Sequence, residues 1–84
     1  MRFFELRQKE VINICTCKSL GCPVDIEIDC KSGNVAAIII PGPGKLLGIL
    51  GRDCEYIIPW ECIVQIGNDI ILVEIKEEVC LKKF

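Results

Sequence analysis

Apolar and polar residues along this chain are arranged in short stretches, and most of them have a period of two. Val24-Asp25-Ile26-Glu27-Ile28-Asp29 alternates without a break. This predicts a half-buried strand with Val24, Ile26 and Ile28 on its inner face. Lys31-Ser32-Gly33-Asn34 then turns the chain into Val35-Ala36-Ala37-Ile38-Ile39-Ile40, which is apolar on both faces and predicts a central strand covered twice. Upstream, Glu10–Cys15 reads as a strand followed by a turn around Lys18-Ser19. Downstream, Glu55–Ile58 is a short strand stopped by Pro59, and Cys62–Ile66 and Ile70–Ile75 flank Gly67-Asn68-Asp69. Gly-Asn between two isoleucine-rich runs predicts a tight hairpin in which Gly67 supplies the positive φ of a type II′ turn.

The pattern therefore predicts six short strands within 84 residues. A chain this short cannot build a two-layer sandwich of ordinary size, whereas a small antiparallel barrel closes its own edges. The expected fold is all-β: one domain over residues 1–84, with a six-stranded antiparallel barrel over about 3–75. The tail 76–84 is expected to be a frayed end or a short helix packed on a barrel mouth.

Composition agrees. Isoleucine (15) and valine (6) make up a quarter of the residues, while alanine and glutamine occur twice each. Stiff β-branched side chains fit a pleated surface, and strong helix formers are scarce. Apolar residues reach 51%, which excludes intrinsic disorder. The net charge of −2 argues against a strongly basic nucleic-acid binder. There is no histidine, so mechanisms that need a histidine base or a Cys/His dyad are excluded. Charges interrupt the Phe3, Phe4, Leu6 cluster, and the longest apolar run is six residues against the roughly 20 of a membrane helix. A cytoplasmic protein is expected.

One stretch is irregular. Pro41-Gly42-Pro43-Gly44-Lys45-Leu46-Leu47-Gly48-Ile49-Leu50-Gly51-Arg52-Asp53 is long for a loop and carries four large aliphatics. A greasy loop of this kind either caps its own barrel or meets a partner. It is not a phosphate-binding loop, because Gly44-Lys45 is followed by Leu46 and Ile39 stands where the first glycine belongs.

Several pieces together resemble a known family: Lys9-Glu10-Val11-Ile12-Asn13, Leu20-Gly21, Asp25-Ile26-Glu27-Ile28-Asp29, the run from Gly33 through Ala37-Ile38-Ile39-Ile40-Pro41-Gly42-Pro43-Gly44-Lys45, Glu55-Tyr56-Ile57-Ile58-Pro59-Trp60, and Ile66-Gly67 with Asp69-Ile70-Ile71-Leu72-Val73. In this order they are similar to a PRC-barrel domain. More narrowly, they resemble the small stand-alone YlmC/YmxH-type sporulation proteins of Gram-positive spore formers. The resemblance implies a six-stranded antiparallel barrel that docks onto other macromolecules, as the related domains of the photosynthetic reaction-centre H subunit and a ribosome-maturation factor do. It also implies an association with sporulation. The chain departs from the family pattern where a glycine is usual near Cys17, at Cys22-Pro23, and in the loop, whose usual aromatics are Leu46, Leu47, Ile49 and Leu50 here.

Candidate chemistry is sparse. Asp25, Glu27 and Asp29 share a strand face about 7 Å apart, too far along one straight strand to converge on one ion, and read as a solvated outer face. Cys15, Cys17 and Cys22 cluster near the first hairpin and, with a fourth thiolate from Cys30, Cys54 or Cys62, form a candidate zinc or redox site. Their spacing is not that of paired C-x₂-C knuckles. The plainer reading of the seven cysteines is free thiols in a reducing compartment, most of them buried as small hydrophobes. Tyr56 and Trp60 flank Pro59 and read either as a recognition platform or as a core plug.

The reading with most support is a non-catalytic adaptor that needs no cofactor and binds a protein partner or a second copy of itself. Its contact residues are expected to be Lys45, Leu46, Leu47, Ile49, Leu50, Arg52, Tyr56 and Trp60. The alternatives are a thiolate zinc or redox protein and a small-barrel nucleic-acid binder, the latter opposed by scattered basic residues and few aromatics to stack bases. If the loop carries the contact, Leu47→Ser with Ile49→Ser abolishes partner capture and self-association while circular dichroism shows the fold retained. Unchanged association in a folded variant removes the loop from the interface.

Overall fold

The computed structural model describes residues 1–42 and 54–83. The chain opens with a one-turn helix, α1 (Phe3–Leu6), and β1 (Glu10–Asn13) and β2 (Lys18–Gly21) follow. Next come β3 (Asp25–Ile28), β4 (Val35–Pro41) and β5 (Cys54–Pro59). A 3-10 turn (Trp60–Cys62) leads into β6 (Ile63–Ile66) and β7 (Ile70–Val73), and α2 (Glu77–Cys80) and β8 (Leu81–Lys83) close the described chain.

The fold is mostly β, as expected, but it is not a closed six-stranded barrel. The described residues form eight strands in two four-stranded sheets, ordered β2-β1-β7-β6 and β3-β4-β5-β8, and no ladder joins the sheets. Nor is the pairing wholly antiparallel, since β1 runs parallel to β7 with Val11 beside Ile71 and Asn13 beside Val73. Pro59, which has no N–H to donate, ends the β4–β5 ladder. The 3-10 turn that follows then moves the chain from one sheet to the other. Two further strands escape the sequence pattern. β2 occupies the place expected to be a turn, which falls earlier, at residues 14–17. β8 lies in the tail, pairing Tyr56 with Leu81 and Glu55 with Lys82.

The sheets are held together by side chains. Ile26, Ile38, Ile58 and Ile40, Tyr56 fall in register on the inner face of one sheet. They pack against Val11, Ile71 and Val73 of the other, with Leu6, Leu20 and Ile75 completing the core. Ile38, Ile40, Ile58, Ile71, Val11 and Val73 are fully buried. Each isoleucine removed from water in this way contributes about 1.5–3 kcal/mol before entropy is subtracted. β4 is the central strand expected: Ala37, Ile38, Ile39 and Ile40 are buried in succession. β3 is less enclosed than its alternation suggests. Ile26 faces the core, but Val24 and Ile28 are 38% and 55% exposed, because β3 is an edge strand and a bulge between Glu27 and Ile28 breaks its register.

Turns follow local chemistry with two departures. The β6–β7 hairpin forms as expected, but Gly67 does not adopt a positive φ, so the turn is not type II′. Instead the Lys9 ammonium donates to the carbonyls of Gly67 (2.6 Å) and Asn68 (2.7 Å), and a cation holds the turn from outside. Cys17 lies in the left-handed region at φ 57, a conformation that favours glycine. At Gly42 no side chain fits, because an added Cβ would overlap Cys54 Sγ and stand 2.9 Å from the Cys54 carbonyl.

Asn13 is the one buried polar residue among those described, and it is fully used. Its amide donates to the Ile75 carbonyl (3.1 Å) and to Glu77 Oε2 (3.1 Å), and its oxygen accepts from the amides of Cys15 (3.2 Å) and Ile75 (3.4 Å). Glu77 also accepts from the Thr16 hydroxyl (2.9 Å) and pairs with Lys18 (3.4 Å). These bonds, Asn13 first, hold its carboxyl below the ordinary value of 4.5. The network ties the start of α2 to the first turn. Asn13→Ala leaves the buried Ile75 amide and carbonyl without these partners and is expected to cost about 1–3 kcal/mol in urea unfolding. Because Glu77 binds its proton more weakly folded than unfolded, its contribution is full above its ordinary value of 4.5 and falls as pH drops through the lower folded value. Stability is therefore expected to decline on acidification below about pH 4.5, and Glu77→Gln flattens part of that decline; the remainder includes Asp29, lowered chiefly by the Lys31 amide.

Candidate partner-docking surface

The most distinctive surface lies around β3. Among the described residues it is an edge strand, paired on one side only, and a groove runs along each of its faces. On the core side, Phe3, Leu6, Ile26, Val35 and Trp60 line an apolar groove of about 370 Å³, with Met1 and Arg2 at its rim. On the opposite side, Asp25, Glu27 and Glu55 stand with Ile39 and Pro41 around a groove of about 490 Å³. One wall is therefore greasy and the other acidic, and Ile26 belongs to both.

The N-terminal turn shapes the apolar side. The Arg2 amide donates to Glu5 Oε1 (2.7 Å), closing the first turn of α1, and Leu6 plugs into the core. This leaves Phe3 39% and Phe4 67% exposed. Phe3 enters the groove beside Trp60 and lies under the Arg7 guanidinium (6.0 Å), while Phe4 stands beside Pro23 and Val24 at the start of β3. Two exposed aromatics flanking a sheet edge form the kind of patch that marks an interaction surface.

The residues singled out from sequence separate. Tyr56 is buried within the core, which corrects its reading as a contact: its ring is packing, because it sits on the inner face of β5 opposite Ile40. Burial raises its hydroxyl pKa. Trp60 is half-buried and lines the groove, so of the two aromatics only this one reaches the surface. Lys45, Leu46, Leu47, Ile49, Leu50 and Arg52 lie outside the described residues. Asp25 and Glu27 are exposed, as expected of an outer face.

The cysteines also depart from expectation. All seven are free, but Cys15, Cys17, Cys22 and Cys30 are exposed rather than buried; only Cys54 is buried, and Cys62 and Cys80 are half-buried against the core. Cys15, Cys17 and Cys22 are not drawn into a ligand set, since no group of three or more Cys, Asp or Glu is placed to hold a metal among the described residues. Burial, with Cys62 nearby, raises the pKa of the Cys80 thiol. No helix among the described residues is long and apolar enough to cross a membrane.

Sequence reasoning missed α1 as a contributor. The sequence signal for it is short: Phe3 and Leu6 are spaced i, i+3 with Glu5 placed to cap the turn.

Comparison with known proteins places the chain in a family. The chain is 45% identical over 73 residues to the probable sporulation protein YlmC of Bacillus subtilis (strain 168), covering 87% of this chain and 90% of the relative. It is 33% identical over 81 residues to the uncharacterized protein YmxH of the same organism, covering 94% of each. It is 38% identical over 68 residues to an uncharacterized protein of Clostridium acetobutylicum, covering 81% of this chain and 77% of that one. A family model of the PRC-barrel domain matches residues 1–79, and with these relatives it establishes that the chain belongs to the PRC-barrel family.

Proposed function

We propose that this PRC-barrel protein is a non-catalytic, cytoplasmic adaptor of sporulating cells, whose rigid two-sheet body presents an apolar surface to a protein partner. The observation that carries this reading is the groove between α1 and β3, in which Phe3, Ile26, Val35 and Trp60 meet beside an open sheet edge. Such a groove accepts apolar side chains, and exposed Phe4 and Val24 extend the contact beyond it. Sporulation enters through the relative named a probable sporulation protein, which matches over most of both chains. The sequence has no histidine, so no mechanism that uses one is open to it. A nucleic-acid partner is disfavoured because Asp25 and Glu27 border the same edge and would repel a phosphate backbone.

Phe3→Ser with Phe4→Ser tests the reading. Capture of a defined protein from sporulating cells is expected to fall at least about tenfold, the scale of removing an aromatic hot spot, with the thermal transition retained. Undiminished capture by the folded variant removes the groove from the function. Sedimentation of the isolated chain separates partner binding from self-association.

A further inference from the structure

We infer that the partner engages this surface as an extended segment of alternating basic and apolar residues, added alongside β3 as a fifth strand of the β3-β4-β5-β8 sheet. This rests on the adaptor reading and gives the partner a chemistry. Among the described residues no strand pairs with the outer side of β3, which leaves it for backbone pairing. A strand docked there sends alternate side chains to opposite faces. One set enters the apolar groove of Phe3, Val35 and Trp60; the other meets Asp25 and Glu27 across the acidic groove. Only a segment that is apolar on one face and cationic on the other matches both walls.

Two further observations sharpen this. The Ile26 amide is held by its neighbour's carboxylate, donating to Asp25 Oδ1 at 2.8 Å. That local bond blunts the edge in the free protein. An incoming strand offers a carbonyl to the Ile26 amide, and its lysine or arginine takes over the released carboxylate, so both groups stay satisfied. A strand without a cation leaves Asp25 uncompensated. The same charges disfavour a second copy at this edge. An antiparallel β3–β3 contact centred on Ile26 sets Asp25 against Glu27, and one centred on Glu27 sets that residue against itself; like charges directly opposite are destabilising.

The test uses an amide-capped peptide of alternating lysine and valine, titrated into the isotope-labelled chain. Amide shifts are expected to centre on Ile26 and Ile28, and binding to weaken with salt. Asp25→Lys with Glu27→Lys alters exposed side chains only, and is expected to weaken this peptide at least about tenfold and to favour a glutamate–valine peptide instead. N-methylation of alternate peptide amides on the pairing edge is expected to abolish binding. Shifts centred away from β3, indifference to charge reversal, tolerance of N-methylation or no binding each overturn the inference. If the peptide fails while the Phe3/Phe4 variant still loses its cellular partner, the strand-addition inference falls and the adaptor reading stands; if that variant keeps its partner, the adaptor reading falls as well.

Discussion

Everything in this molecule is positioned by the side-chain contact between two small sheets. Among the described residues no backbone ladder crosses from one to the other, so Ile38, Ile40, Tyr56 and Ile58 on one side must meet Val11, Ile71 and Val73 on the other to define their relation. β-branched side chains suit this task. They lose little rotamer freedom on burial and fill a pleated surface without polar atoms that need partners. A domain of this size has little stability to spare, which is why a single well-packed seam governs the whole.

Within that apolar seam, Asn13 is an exception with a structural use. Its four hydrogen bonds reach Cys15, Ile75 and Glu77, and so join β1, the first turn and the entry to α2. α2 is a single turn, too short to be stable alone. Fixing its first residue, Glu77, from the opposite end of the chain places the following segment where it can pair with β5. A polar residue thus sets the path of the C-terminal strand, while the apolar residues set the distance between sheets.

The surface around β3 is a by-product of the same geometry. A closed barrel would have paired that edge; the open arrangement leaves it beside a groove. Natural edges of this kind are blunted by charge, bulges and short length, and β3 has all three: Asp25 and Glu27, a register shift before Ile28, and four residues in all. These devices hold off indiscriminate pairing, and on the proposed strand addition they still admit a segment of complementary charge.

Local periodicity by itself determined that the chain is β-rich, that Val35–Ile40 is a central strand, that hairpins lie at Lys31–Asn34 and Gly67–Asp69, and, through its ordered motifs, that it belongs with the PRC-barrel proteins. These properties depend on neighbours in sequence, and alternation, turn residues and β-branching encode them. Tertiary structure alone decided that β1 lies parallel to β7, that the tail supplies β8, that the cylinder does not close, and that Tyr56 is core while Trp60 and Phe3 line a groove. Each depends on contacts between segments tens of residues apart, where strand strength says nothing about which edge is left unpaired. Val24 and Ile28 show the limit directly: their alternation marks a strand, but only the sheet order decides that the strand lies at an edge with those side chains exposed.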